Sequence, residues 1–247
     1  MKKSIFIVTI IVIALVALTA CVSIEEKHAT ASGHYEWLPV MGLSDGKFVG
    51  SGVDAVQQVG KDIDVNIESK DVGSWSQVQE KLKIGEIDFV FAIYWTEERS
   101  KYILYSVDYT TDPIVAYFAA GKPFSLNQKE DLIGKRGVVT KGDSYGVELD
   151  KFIVESNLDM VETNTPEQAF AMLKSGEADY FLYSAYAGRA LIARENLSGF
   201  EESKTISEQL FYVGVSKKSP YANRMDAINA SLRKQMSDPD SPLYRSH

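Results

Sequence analysis

Residues 74–90, SWSQVQEKLKIGEIDFV, recur 91 positions later as residues 165–181, TPEQAFAMLKSGEADYF, with six identities in seventeen positions. Each copy opens on a hydroxyl residue followed three positions on by Gln (Ser74/Gln77 and Thr165/Gln168), the reciprocal capping pair of a helix start. Pro166 suits a first helical position, where its missing N–H costs nothing. Val78 and Leu82, like Ala169 and Leu173, keep helical spacing up to Gly85 or Gly176, where a left-handed residue can close the helix. Gly-Glu-x-Asp then leads into residues 89–92 (FVFA) or 180–183 (YFLY), apolar runs that read as buried strands of a parallel sheet. Two copies of a helix, tight turn and buried strand predict two α/β lobes, with a ligand crevice beyond the carboxyl ends of their strands.

The chain starts with a targeting pattern. Lys2 and Lys3 precede an apolar stretch over residues 5–17, and Leu18-Thr19-Ala20-Cys21 follows, as in a secretory signal. Leu-Thr-Ala-Cys in this place resembles a bacterial lipobox, which implies cleavage before Cys21 and a lipid on its sulfur. An uncleaved anchor is the alternative, because residues 5–22 approach the roughly 20 apolar residues that span a bilayer. Either way the body is expected outside the cytoplasm and tied to a membrane. Residues 1–20 are read as signal and residues 21–32 as a flexible tether of low apolar content.

The formal net charge of −8 becomes more negative once Lys2 and Lys3 leave with the signal, which argues against a nucleic-acid surface. Cys21 is the only cysteine, and the histidines are His28, His34 and His247. A Cys/His metal site or a Ser-His-Asp hydrolase has little to draw on, so neither metal nor cofactor is expected. In the second lobe, residues 136–140 (RGVVT) read as a strand, residues 141–146 (KGDSYG) as a polar turn and residues 147–155 as a helix. Residues 114–120 and 210–216 are expected to cross between lobes, and residues 221–235 to return as a helix. The tail, residues 237–247, has a turn-rich Asp-Pro-Asp-Ser-Pro composition. Residues 33–116 with 213–247 form the expected first lobe and 117–212 the second.

Residues 94–99 (YWTEER), followed by residues 105–109 (YSVDY), resemble the Thr-x-Thr-x-Glu-Arg and Phe-Ser-x-Pro-Tyr region of family 3 extracellular solute-binding proteins, the polar amino-acid-binding subunits of ABC importers. Residues 37–40 (WLPV), 45–54 (DGKFVGSGVD), 137–144 (GVVTKGDS) and 212–220 (YVGVSKKSP) follow in family order, so the resemblance covers about residues 33–236. It implies a type 2 periplasmic-binding-protein fold: an α/β sandwich of two lobes with two interlobe crossings and a cleft. It also implies that Arg99 forks onto the ligand's α-carboxylate, beside Thr96, a role that suits a permanently charged guanidinium with paired donors. The start of the helix after Gly142, at Asp143 and Ser144, would meet the same carboxylate from the other lobe, and Trp37 stands where the family often packs an aromatic on the ligand.

Two departures bear on the ligand. Tyr94 replaces the family's first Thr, and Ser184 stands where amino-acid binders carry an Asp for the ligand's ammonium. Losing one side of a desolvated ion pair typically costs about 3–5 kcal/mol, so another acid, Glu36 or Asp143, is needed for an amino-acid ligand. Tyr145, Tyr183 and Tyr186 are expected at the same mouth, where aromatic walls suit apolar or cationic groups. The function implied is a monomeric, lipid-anchored protein that captures a small carboxylate-bearing solute for an ABC permease. A ligand sensor for a signalling partner is one alternative. A dehydratase-like enzyme is the other, with Glu36, Glu98 and Asp143 as acid–base candidates. On this reading Arg99→Ala abolishes binding with little effect on ligand-free stability, and Ser184→Asp improves the binding of amines.

Overall fold

The computed structural model of the chain describes residues 27–241 and 243; the signal, Cys21 and the last four residues lie outside the described residues. Both copies of the repeat build the same unit. Helix α2 (Trp75–Ile84) starts where the Ser74 N–H donates to Gln77 Oε1 at 2.8 Å, and it ends at Gly85 with φ 84°. Its counterpart α5 (Pro166–Ser175) starts where Thr165 Oγ1 accepts from the Gln168 N–H, and it ends at Gly176 with φ 79°. The strands that follow, β6 (Phe89–Ile93) and β10 (Tyr180–Ser184), are buried at every position.

The repeated Asp has a shared task. Asp88 Oδ2 accepts the Thr30 N–H at 2.9 Å and Asp179 Oδ2 accepts the Arg136 N–H at 2.8 Å. In return the Asp88 and Asp179 N–H groups donate to the carbonyls of Thr30 and Arg136. Each Asp thus fastens its strand to a parallel neighbour. One neighbour is β1 (His28–Ser32) and the other β8 (Arg136–Thr140).

Eight of the nine strands of the main sheet run β5-β1-β6-β12-β7-β10-β8-β9, with β5 (Asn66–Ser69) and β9 (Asp159–Thr163) as outer strands, and the short β11 (Phe200–Glu202) pairs with β7 off that path. Its centre is a pair of antiparallel crossings, β7 (Ile103–Ala119) and β12 (Ser207–Ser216). Strand β7 pairs with β12 up to Ile114 and with β10 from Ile114 to Tyr117, so a single seventeen-residue strand serves both lobes. The crossings are longer than the sequence suggests and lie side by side, and bulges at Phe211/Tyr212 and Tyr212/Gly214 break the ribbon between them. Bulges of this kind bend and twist a strand.

Helices α1 (Ser51–Asp62), α2 and α7 (Met225–Met236) belong to the first lobe, while α4 (Val147–Glu155), α5 and α6 (Ala185–Arg194) belong to the second. Helix α4 has the bounds read from sequence, whereas α7 begins four residues later than expected, after a 3-10 turn at Ala222–Arg224. A small sheet of β2 (Glu36–Trp37), β3 (Met41–Ser44) and β4 (Lys47–Val49) overhangs the cleft.

The tether expectation is corrected at its carboxyl end. His28–Ser32 is a strand held between β5 and β6, with Ala29 2% and Ala31 0% exposed. The segment HATAS lacks large apolar side chains, but alanines fit a strand covered on both sides, where there is little room above the pleat.

Candidate functional site

Arg99 lies just past the end of β6, on the single-turn helix α3 (Glu97–Ser100). Thr96 caps that turn by accepting the Arg99 N–H at 3.1 Å. The guanidinium is drawn inward, leaving Arg99 6% exposed. Nε donates to Gln79 Oε1 at 3.0 Å, Nη1 to the Tyr94 carbonyl at 3.2 Å and Nη2 to the Gly142 carbonyl of the opposite lobe at 3.2 Å. Cζ lies 5.5 Å from the centre of the Trp75 ring. Of five N–H donors, two have no partner among the described residues. Arg99 is thus a fixed cation held by both lobes, rather than a surface arginine paired with Glu97 or Glu98. Glu98 pairs with Lys101 at the exposed edge of the turn.

Asp143 faces it from the turn after β8. Its side chain is 1% exposed, and neither carboxylate oxygen has a hydrogen-bond partner among the described residues. The nearest charged or titratable contact is His34 Nε2 of the first lobe, 3.6 Å from Oδ1. His34 Nδ1 accepts the Glu36 N–H at 3.1 Å, so a neutral ring carries its proton on Nε2, towards Asp143. Burial, aided by the Arg99 charge, pushes His34 down to about 3. Burial pushes Asp143 up to about 8, against the pull of Arg99 and with a contribution from Asp150. A carboxyl group without hydrogen bonds in such surroundings keeps its proton until a cation arrives.

These charges have a consequence for stability. Between pH 6.5 and 8 the folded Asp143 holds a proton that the unfolded chain has released. Ligand-free stability therefore falls as pH rises, by up to about 1.4 kcal/mol per pH unit from this group. Glu36, pushed up to about 8 by burial and by Glu167, acts in the same direction. His34 acts oppositely, but only between about pH 3 and 6.5, where the unfolded chain binds the extra proton. Melting temperatures of ligand-free protein should accordingly drop from pH 6.5 to 8; a flat or rising curve would contradict the buried, unpaired Asp143.

Arg99 and Asp143 line one narrow cavity of about 20 Å³, together with His34, Trp37, Trp75 and Tyr94. Met41, Phe211 and Ser144 complete part of its wall. The aromatic rings support one another: His34 and Trp37 are 5.0 Å apart between centroids, Trp37 and Tyr94 6.0 Å, and Tyr94 and Phe211 4.7 Å. Of the residues singled out in the sequence, the structure gathers Trp37, Tyr94, Arg99, Asp143 and Ser144 on this cavity. The hydroxyl of Ser144 is turned away, donating to Asp150 of α4, whose other oxygen accepts the Tyr145 N–H at 2.7 Å. Asp150, not Asp143, therefore secures the start of that helix.

Thr96, Tyr183 and Ser184 are not on the cavity wall, and each has a structural task. Thr96 caps the Arg99 turn. Tyr183, fully buried, donates its hydroxyl to the Glu36 carbonyl of the other lobe at 3.0 Å. Ser184 caps α6, accepting the Ala187 N–H at 3.1 Å, and donates to Asp112 Oδ1 at 2.6 Å. Tyr145 is likewise buried, accepting the Thr140 N–H at 3.0 Å.

Asp112 was missed by sequence reasoning. It sits on β7, is 0% exposed, and accepts from Trp37 Nε1 at 2.7 Å and Tyr94 Oη at 2.5 Å as well as from Ser184. Burial raises it to about 6 while those three donors hold it down. The two departures from the family pattern, Tyr94 and Ser184, therefore meet on one carboxylate. Trp37 and Tyr94 approach it from the first lobe and Ser184 from the second. The available signal was an aspartate directly before Pro113, at the edge of the apolar run over residues 114–119.

A fixed cation and an unpaired acid, walled by aromatic rings in a cleft between two lobes, make a site for holding a charged small molecule, and the class so defined is the cleft-type solute-binding protein. The family model for bacterial extracellular solute-binding proteins, family 3, matches residues 32–239, and the chain belongs to that family. It is 25% identical over 198 residues to the L-cystine-binding protein TcyJ of Escherichia coli (strain K12), covering 78% of this chain and 71% of TcyJ. Among solved structures it resembles a histidine kinase sensor domain with similarity to periplasmic binding proteins, at TM-score 0.76 and 20% identity over 86% of this chain and 91% of that one. It also resembles holo ArgBP from T. maritima, at TM-score 0.72 and 23% identity over 88% and 94% of the two chains. At these identities both likenesses speak for the fold alone. Among the described residues no helix is long and apolar enough to cross a membrane, and no group of His, Cys, Asp and Glu is placed to hold a metal ion.

Proposed function

We propose that this chain is a lipid-anchored, extracytoplasmic binding protein that captures a small carboxylate-bearing solute, an amino acid or an analogue, and presents it to the permease of an ABC importer. The observation that carries this reading is the facing pair of Arg99, with two uncommitted donors, and Asp143, with two unpartnered oxygens, in one cavity. The guanidinium offers a fork to a carboxylate and Asp143 offers a partner for an amine. Asp143 thereby takes the role that Ser184, tied to Asp112, does not fill. The 25% identity with a protein named for L-cystine agrees with an amino-acid-derived ligand. No chemical step is needed, only higher affinity for the form in which the lobes meet. Cleavage before Cys21 and lipid attachment there would keep the monomer at the membrane face.

A thermal-shift screen of amino acids, carboxylates and amines tests this reading. A solute at 100 times its dissociation constant adds about 2.7 kcal/mol, which should raise the melting temperature by roughly 5–10 °C. Shifts confined to molecules that carry a carboxylate are expected. Absence of a shift with any carboxylate, or equal shifts with simple amines, would reject it. The likeness to a kinase sensor domain keeps a second reading in view, in which the liganded shape is presented to a signalling protein. Uptake of the solute by membranes containing the cognate permease, lost when the chain is removed, separates transport from sensing.

A further inference from the structure

The three donors on Asp112 do not stand alike with respect to the lobes. Strand β7 leaves the first lobe after Tyr109, whose hydroxyl donates to the Phe91 carbonyl at 3.0 Å, and joins the second at Ile114, which pairs with Ser184 of β10. Asp112 lies in the stretch between, past the bulges that break the β7–β12 ladder at Phe211/Tyr212 and Tyr212/Gly214. We infer that Asp112 is a positioning residue for closure of the cleft: its Oδ2 takes the side chains of Trp37 and Tyr94 from the first lobe only when the lobes meet, and so sets how far the closed form prevails. The inference stands whatever solute the cleft takes.

The aim of the carboxylate is fixed from the second-lobe side. Pro113 restricts the residue before it to extended backbone, and Ser184, the cap of α6, donates to Oδ1 at 2.6 Å. Oδ2 is left to the first lobe, accepting from Trp37 Nε1 at 2.7 Å and Tyr94 Oη at 2.5 Å. All three donors are neutral, so the hold is short-ranged. It is lost once donor and acceptor part by about an ångström.

The same first-lobe residues reach the rest of the seam. Tyr183, beside Ser184, donates to the Glu36 carbonyl at 3.0 Å, and its ring centre stands 5.0 Å from that of Trp37. Tyr94 gives its carbonyl to Arg99 Nη1 at 3.2 Å, so the tyrosine that Asp112 holds also orients the guanidinium. A second seam lies across the cavity, where Gln79 Nε2 and Arg99 Nη2 both donate to the Gly142 carbonyl at 3.2 Å. That seam runs through Arg99, which lines the cavity and is open to change by a solute. Asp112 is 0% exposed and stands off the cavity wall, so it acts on closure without touching the solute.

Nuclear magnetic resonance of the full chain in detergent, with its tryptophans labelled, tests this. The chain has three tryptophans, and Trp37→Phe assigns the indole N–H signal that belongs to Asp112. In the wild type the Trp37 N–H should exchange with solvent far more slowly than that of Trp95, which is 43% exposed. Tyr94→Phe keeps the ring and the carbonyl and removes only the hydroxyl. It should speed Trp37 exchange by at least about ten-fold and the backbone amides of β6 and β8 by much less. It should also enlarge the radius of gyration in small-angle neutron scattering with the detergent matched out, as should Trp37→Phe. Unaltered Trp37 exchange in Tyr94→Phe would overturn the inference. Faster exchange without enlargement would overturn it too, as a local contact, and so would faster exchange spread equally over β6 and β8, as a general loss of stability. If Tyr94→Phe does not fold, Trp37→Phe carries the scattering test, and an unchanged radius there overturns the inference.

Discussion

Arg99→Lys is expected to weaken carboxylate binding by about 100-fold while the chain remains folded. Lysine keeps the charge but supplies a compact ammonium in place of a planar fork. It cannot at once reach Gln79 Oε1, the Tyr94 carbonyl and the Gly142 carbonyl, all of which Arg99 holds. The Gly142 contact joins the lobes, so part of the loss falls on closure and part on the ligand. About 100-fold corresponds to about 2.7 kcal/mol, within the range for a charge-assisted bond lost in a dry site. Calorimetry on the variant gives the answer, and an affinity within a few-fold of the wild type would remove Arg99 from the site. Arg99→Ala should abolish binding, but the structure changes the expectation for ligand-free protein. With Arg99 only 6% exposed, truncation strips buried carbonyls of their donor and Asp143 of its nearby cation, and a cost of about 2–4 kcal/mol follows.

The largest stability effect is expected at Asp112. Asp112→Ala leaves Trp37 Nε1, Tyr94 Oη and Ser184 Oγ without their shared acceptor in a fully buried place. Breaking a buried charged network from one side costs about 3–5 kcal/mol, and for a chain of this size that lowers the melting temperature by on the order of 10 °C. Ser184→Asp, which from sequence should restore an amine contact, is expected instead to destabilise. The new carboxylate would stand where a hydroxyl now donates to Asp112 at 2.6 Å, and two like charges in one buried site repel. Thermal unfolding of both variants decides the matter. Wild-type stability of Asp112→Ala would show that the knot contributes nothing, and tighter amine binding by Ser184→Asp would show that position 184 faces the ligand.

How far the chain could be read follows from the range of the forces involved. The repeat was legible because caps, left-handed glycines and helical spacing act over a few residues: Ser74, Gln77, Gly85 and their partners at Thr165, Gln168 and Gly176 adopt the conformations their chemistry favours. The strand His28–Ser32 was not legible, because alanine's fitness for it depends on β5 and β6 closing over it. At the candidate site, Arg99 and Asp143 were singled out through the family resemblance, but their surroundings were not. His34 reaches Asp143 across more than a hundred positions, and Trp75, to which the repeat assigned no role, lies beside the Arg99 guanidinium. Asp112 shows the same limit. Its three donors come from Trp37, Tyr94 and Ser184, and only the crossing of β7 between lobes brings them together. Tyr94 and Ser184, which by sequence were two separate losses from a binding pattern, are in three dimensions one gain, a knot holding the lobes to the crossing strand.

The central claim is that one end of the solute is a carboxylate held by Arg99 with its amine against Asp143. A crystal structure of the chain grown with the best solute from the screen tests it most directly. The account predicts the carboxylate within about 3 Å of the two free Arg99 donors and the amine at similar distance from Asp143. A solute bound elsewhere, or bound in this cleft with its carboxylate away from Arg99, would contradict it.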